Sequence, residues 1–263
     1  LEVKVNAKKV VLKIEGDIAI IELNNPPVNA LNEQVINELS DLFDLVAADA
    51  TIRSAVITSG ITGVFIAGAD IKGFVNKNIS SGEALSARGH SVFIKLLKLP
   101  KPVIAAVNGL ALGGGLELSL FCDIRIFSEK AKIGLPETTL GLMPGYGGTQ
   151  ILPNLIGAGA AKKMIYTGEL MSASDAKKAG IADIVIEHDA VLEEAIKLSR
   201  KMNANAPLAI KAVKQAIFSA QYSELERMLE IESKAFGALC GTEDKIEGVT
   251  AFLEKRTPAF KGC

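Results

Sequence analysis

The sequence predicts an α/β core followed by a helical C-terminal region. Two patterns carry that reading. Strand-like and helix-like runs alternate through the first two-thirds of the chain, and helical spacing alone fills the last third. A third observation bounds the size: 263 residues, 49% of them hydrophobic, suffice for one large core. Composition shifts near residues 190 to 200 without a linker. We therefore divide the chain into a core over 1–195, expected to hold the functional site, and a helical region over 196–263, expected to dock on the core or on another subunit.

The elements follow in order. Val10 to Ile14 and Ile18 to Leu23 read as two strands around Glu15-Gly16-Asp17, a hairpin signal. Asn32 is placed to cap a helix that carries Val35, Ile36, Leu39, Leu42, Phe43 and Val46 at helical spacing. Ala55 to Thr58 is a strand, and Val64-Phe65-Ile66 another, followed by the small, flexible Ala67-Gly68-Ala69. Asn76 to Gly82 reads as a polar, mobile connection, and Glu83 to Leu97 as a helix that ends before Pro100. Val103 to Val107 is a buried strand, and Asn108-Gly109 turns the chain. Short helices are expected over 147–157 and 158–166, with Pro153 interrupting. Ser172 caps a helix closed by Gly180, and Ile184 to Ile186 is a short strand. Helices are then expected over 190–203, 207–220, 223–239 and 242–254, the second of them opened by Pro207.

Composition narrows the function. The formal net charge is -1 and no basic stripe stands out, so nucleic acid is not an expected partner. Cys122, Cys240 and Cys263 lie at wide, irregular spacing, which is neither a disulfide framework nor a zinc pattern and suits a reducing compartment. The first ten residues hold no apolar signal region, and no apolar run reaches the length of a membrane span. A cytoplasmic location is the expectation.

The most informative stretch runs from Lys101 to Gln150. Gly113, Gly114 and Gly115 sit where a loop becomes a helix over Leu116 to Phe121. Such a junction presents free backbone N–H groups at a positive dipole end. Two acids flank it. Glu117 lies among Leu116, Leu118, Leu120 and Phe121, and Glu137 follows Pro136 at the start of a helical turn. A carboxylate among leucines costs several kcal/mol if buried without a partner. Glu117 either caps its helix or pairs with a base, or it serves a site; the pattern leaves these open.

Other chemistries fit less well. Gly109 and Gly114 match the glycines of a phosphate-binding loop, but Gly115 stands at the lysine position and Leu116 at the hydroxyl position. Gly113 and Gly115 begin a dinucleotide fingerprint that Leu118 breaks. Ser119 has no nucleophile elbow around it, and the two histidines, His90 and His188, suit structural or surface roles. No cluster has metal-ligand spacing. Two glycine-rich backbone turns and two carboxylates remain. Backbone donors can stabilise an oxyanion while acids move protons beside it, which suits chemistry through an enolate.

Taken together, these stretches resemble the enoyl-CoA hydratase/isomerase (crotonase) family, and within it the bacterial enoyl-CoA hydratases of fatty-acid β-oxidation. The landmarks are Pro27-Val28-Asn29-Ala30-Leu31, Ala67 to Lys72, Ala105 to Asp123, Leu135-Pro136-Glu137, Pro144 to Gln150 and Ala251 to Arg256. The resemblance implies a spiral of β-β-α units with a helical C-terminal trimerisation region, assembled as a homotrimer or homohexamer. It implies acyl-CoA thioester substrates, with CoA as part of the substrate and no metal or redox cofactor. It implies an oxyanion hole at the N–H groups of Ala69 and Gly114, water activation by Glu117, proton exchange at C2 by Glu137, and a water-holding N–H at Gly145. The loop with Ala67, Ala69, Asp70, Ile71 and Lys72 would contact CoA. Phe252 and Lys255 would reach CoA on a neighbouring subunit. Residues between Phe74 and Leu85, and around Leu116, Leu135 and Tyr146, would shape the acyl pocket. Two rivals stay open: a Δ3,Δ2-enoyl-CoA isomerase, which needs Glu137 alone, and a non-catalytic RNA-binding or scaffold protein of the same fold.

Overall fold

The computed structural model describes residues 9–263. The reading of the first ten residues as free of a signal region therefore falls almost wholly outside the described residues. The strands are β1 (Val10–Glu15), β2 (Ile18–Leu23), β3 (Ser54–Ser59), β4 (Gly63–Ile66), β5 (Val103–Val107), β6 (Gly109–Leu112), β7 (Ile124–Ser128), β8 (Lys132–Gly134), β9 (Met171–Ser172) and β10 (Ile184–Ile186). The helices are α1 (Glu33–Ala48), α2 (Ile79–Leu97), α3 (Gly114–Leu120), α4 (Gly148–Ile156), α5 (Ala158–Thr167), α6 (Ala173–Ala179), α7 (Val191–Asn203), α8 (Pro207–Tyr222), α9 (Leu225–Cys240) and α10 (Glu243–Glu254). Short 3-10 turns cover Ile71–Phe74 and Glu137–Leu140.

Two sheets organise the core. One has the strand order β1-β2-β3-β5-β7-β10, the other β4-β6-β8-β9. The chain alternates between them: β3 joins the first and β4 the second, then β5 and β6, then β7 and β8. Helices α2 and α3 close the first two of these steps, so the chain advances as a spiral of β-β-α units. Pairing is parallel between β2, β3, β5, β7 and β10. Every residue of β3 and β5 is buried, as expected of parallel strands covered on both faces. Alternation sorts them. Ile20, Val56, Ile104 and Ile126 face Val191 and Ala195 of α7, while Ile21, Ile57, Ala105 and Phe127 join the larger core beneath α1 and α2.

The hairpin, the Asn32 cap and the four C-terminal helices form as expected; the Asn32 side chain accepts the Val35 N–H at 3.0 Å. Several elements differ. α2 begins at Ile79, so its first turn occupies part of the stretch read as a mobile connection. Asn78 and Ser81 form a capping box there, so the polar residues start the helix rather than precede it. Asn108-Gly109 is not a simple turn but a switch of sheets, and β6 starts at Gly109. A Cβ at Gly109 would stand 2.0 Å from the Gly63 carbonyl carbon, so only glycine admits the close approach of β4. Pro153 removes one helical hydrogen bond without ending α4, which Ile151 and Leu152 pin to the core. β7 and β8 carry too few residues, or too mixed a set, to stand out from the pattern alone.

The C-terminal helices are not a detached layer. α9 packs along α2, and α10 lies over the 3-10 turns at Ile71–Phe74 and Glu137–Leu140.

Candidate active site

The site forms where the second sheet ends. After β6, Gly113 takes φ +50°, and a Cβ on it would stand 2.6 Å from Oε1 of Glu137. Glycine is thus required twice, by the backbone angle and by the carboxyl. Gly114 opens α3, where first-turn N–H groups have no helical acceptor. Glu117 follows one turn in and is 1% exposed. It neither caps its own helix nor pairs with a base. Its Oε1 accepts the N–H groups of Tyr146 and Gly148, each at 2.8 Å. Glu137 opens the second 3-10 turn, and its Oε2 is buried with no hydrogen-bond partner.

A second loop faces this pair. Leu31 N–H donates to the Gly68 carbonyl at 2.9 Å, and Asp70 N–H donates to the Leu31 carbonyl at 3.2 Å. In such a parallel bridge the intervening residue directs its own N–H to the opposite side. That residue is Ala69, and it lines the same cavity as Gly114, Glu117, Glu137 and Gly145. The cavity holds about 70 Å³ and its wall is apolar: Phe74, Leu85, Leu140, Leu142, Tyr146 and Phe236. Of the residues expected around Leu116, Leu135 and Tyr146, Glu117, Pro136, Glu137 and Tyr146 line it, whereas Leu116 and Leu135 themselves are fully buried in the main core. Phe236, Leu140 and Leu142 complete the wall; the sequence reading assigned none of the three to the pocket. A larger cavity of about 390 Å³ lies beyond Phe74 and Leu85, with Lys77 and Arg88 on its wall.

Burial pushes both carboxyls above the ordinary range, Glu137 to about 7; Glu117 is raised first by burial and also by the negative charge of Glu137 and Glu232 beside it. The hydrogen bonds order the pair the other way. Two N–H donors converge on one oxygen of Glu117, whereas Oε2 of Glu137 has no donor among the described residues. On that geometry we place the shared negative charge on Glu117 and the proton on Glu137, a coupled pair with one proton between them.

The remaining sequence-predicted residues divide. Ala67 and Ile71 line the cavity. Asp70 is exposed and accepts the Lys72 N–H at 3.2 Å, which starts the first 3-10 turn; Lys72 is exposed and lines neither cavity. Phe252 is 56% exposed near the end of α10 and Lys255 caps that helix in the left-handed region, both away from the cavity of this chain. His188 bonds Ser128 at 3.0 Å. His90 is buried against Glu232, a residue that the sequence reading passed over. No group of His, Cys, Asp and Glu suited to a metal ion occurs among the described residues, and none of their helices is long and apolar enough to cross a membrane.

Two carboxyls at one apolar cavity, Glu117 buried and Glu137 partly so, with two backbone loops beside them, form a candidate acid–base site on an α/β scaffold. The comparisons with known proteins make that class specific. The family model described as enoyl-CoA hydratase/isomerase matches residues 13–263. The short-chain-enoyl-CoA hydratase of Clostridium acetobutylicum is 40% identical over 248 residues, 94% of this chain and 95% of that one. The 2,3-dehydroadipyl-CoA hydratase of Escherichia coli is 42% identical over 246 residues, 93% and 95% of the two chains. A solved enoyl-CoA hydratase from Bacillus anthracis superimposes with a TM-score of 0.79 at 38% identity, covering 97% of this chain and all of that one. The chain belongs to the enoyl-CoA hydratase/isomerase family.

Proposed function

We propose that the protein hydrates 2-enoyl-CoA thioesters across C2=C3, and that its preferred acyl group is short, unbranched and uncharged. The observation that carries this is the Glu117–Glu137 pair at one small apolar cavity. Thioester oxygen accepts the N–H groups of Ala69 and Gly114. Water held by Glu117, Glu137 and the Gly145 N–H adds its oxygen to C3 and gives a proton to Glu117. The enolate that results takes its C2 proton from Glu137. The backbone donors matter most at that moment, when negative charge reaches the oxygen.

Acyl preference follows from the wall. Phe74, Leu85, Leu140, Leu142 and Phe236 offer no cation to a terminal carboxylate, and about 70 Å³ leaves room for a few carbons beyond C2. A dehydroadipyl chain would have to bury its carboxylate there unpaired, at a cost of several kcal/mol. The crotonyl group fits, as in the short-chain steps of fatty-acid β-oxidation. The CoA moiety passes the loop from Ala67 to Lys72. An isomerase needs no water-activating acid, and the two N–H groups spent on Glu117 favour hydration over that rival.

The test is a kinetic panel of 2-enoyl-CoA esters differing in length, branching and terminal charge, with product identification. Crotonyl-CoA should give 3-hydroxybutyryl-CoA with the highest kcat/KM, and Glu117→Gln should lower kcat at least ~10²-fold. Rapid conversion of a 3-enoyl-CoA with negligible hydration would show an isomerase instead.

A further inference from the structure

Behind the loop that holds Glu117 lies a buried polar chain in which each hydrogen bond fixes the direction of the next. Ser86 Oγ donates to the Gly145 carbonyl at 2.6 Å, which uses its only proton. In the 3.2 Å contact between Ser86 Oγ and Ser233 Oγ, Ser233 is therefore the donor. Its proton spent, Ser233 Oγ accepts from Nδ1 of His90 at 2.9 Å. The other ring nitrogen, Nε2, lies 2.8 Å from Oε1 of Glu232. That oxygen already accepts the Gly147 N–H at 2.6 Å, and Oε2 accepts the Thr149 hydroxyl, which in turn accepts Nε2–H of Gln150. Both oxygens of Glu232 act as acceptors, so it is a carboxylate. Both nitrogens of His90 act as donors, so it is an imidazolium. A neutral ring with its proton on Nε2 would leave the Ser86–Ser233 contact without a proton, and one with its proton on Nδ1 would set the Nε2 lone pair against the Glu232 carboxylate.

The chain ends on the loop that serves the site. The consecutive N–H groups of Tyr146, Gly147 and Gly148 go alternately to Glu117, Glu232 and Glu117. Glu117 holds the loop from the cavity side and Glu232 from behind, while Ser86 fixes the carbonyl of Gly145. Ser86 and His90 come from α2, Glu232 and Ser233 from α9, and all four are buried.

We propose that the imidazolium–carboxylate pair His90–Glu232, with Ser233 and Ser86, positions the Gly145–Gly148 loop so that Glu117 and the Gly145 N–H hold the attacking water. These are positioning residues; none touches the substrate. The role rests on the hydratase reading above. It makes a distinction that a general stabilising role does not. Hydration requires Glu117 and the loop, whereas exchange of a C2 proton with solvent in a saturated acyl-CoA requires Glu137 and the oxyanion donors alone.

The experiment has two arms. In protein with 15N-labelled histidine, whose only other histidine is His188, solid-state NMR should show both ring nitrogens of His90 protonated at neutral pH, and Glu232→Gln should leave one protonated. In the kinetic arm, Ser86→Ala and Glu232→Gln should each lower kcat and kcat/KM for crotonyl-CoA hydration together, by about 10- to 100-fold, the scale of a small misplacement. Exchange of the C2 proton of butyryl-CoA for deuterium should persist near the wild-type rate. Ser86→Ala removes one hydroxyl and no charge, so it keeps the test alive if Glu232→Gln fails to fold. Equal losses in both reactions, unchanged hydration in folded variants, or a singly protonated His90 would each overturn the proposal. Wild-type protein that exchanges the C2 proton but does not hydrate would overturn the hydratase reading, and the positioning role with it.

Discussion

At the residue scale, the cost of the site is the burial of charge, and pH exposes it. Burial raises the Glu137 carboxyl from 4.5 to about 7 and moves Glu117 in the same direction. The folded protein therefore binds these protons more tightly than the unfolded chain. Their contribution to stability is complete below the unfolded value of 4.5 and is lost as pH rises through about 7. Glu137→Gln has no proton to lose at this position, and it also relieves the like charge beside Glu117. We expect the melting temperature of the ligand-free variant to fall less steeply than wild type between about pH 5 and 8. Calorimetry across that window decides it: identical slopes would mean that Glu137 is not the group that burial perturbs. The two glutamates were legible as candidates because a carboxylate in a leucine run or after Leu-Pro is anomalous by itself. Glu232 carries the same anomaly. It falls in the buried stripe Leu225, Leu229, Glu232, Ser233, Phe236, and His90 lies on the matching stripe of α2 with Ser86 and Phe93. The signal was present, but it is one of pairing across 142 residues, which spacing within a helix does not reveal.

At the element scale, α10 fastens the acyl wall. Lys245 is buried, and its Nζ donates to the carbonyls of Phe74 at 3.2 Å and Lys77 at 2.8 Å. Burial lowers its pKa, as the shortage of charged partners would suggest. Those carbonyls close the 3-10 turn that carries Phe74, whose ring meets Phe236 edge-on at 6.0 Å. Lys245→Met keeps the aliphatic volume and removes the donors; the Phe74 carbonyl keeps the Lys77 N–H at 3.1 Å, and the Lys77 carbonyl loses its lysine donor at about 1–3 kcal/mol, partly offset by the loss of a buried charge. The Phe74 wall should then yield toward the larger cavity behind it. The expected result is a lower melting temperature and a rise in kcat/KM for eight-carbon relative to four-carbon 2-enoyl-CoA. A lower melting temperature with an unchanged chain-length profile would separate the lysine from the pocket. Elements defined by local chemistry were the legible ones: the Asn32 cap, Ser172 with Gly180, and Pro207. The start of α2 and the strand β6 were not, because an Asn-Ser cap looks like a polar loop and a four-residue strand acquires its identity only from the sheet it joins.

At the scale of the whole molecule, the helical region serves two masters. Its inner faces complete the site of its own chain through Ser233, Phe236 and Lys245. Its outer faces are too apolar for water. α8 buries none of its residues, and Leu208, Val213 and Ile217 stand 78%, 58% and 53% exposed. Met228 and Ile231 of α9 and Ile246, Phe252 and Leu253 of α10 add to the apolar surface. Large apolar residues left exposed on several helices mark a protein interface more often than a solvated face. We expect a homotrimer or homohexamer by light scattering at micromolar concentration, and lower mass for the pair Val213→Glu and Ile217→Glu; a monomeric wild type would remove the basis of the argument. The kinetics of the dissociated variant carry the finer question. Because the cavity, Glu117, Glu137 and the loop behind them belong to one chain, dissociation should leave kcat largely intact. If Phe252 and Lys255 reach CoA bound on a neighbour, dissociation should instead raise KM, and the rise should match that of Lys255→Ala in the intact oligomer. A collapse of kcat with unchanged KM would mean that the oligomer sets the catalytic geometry itself.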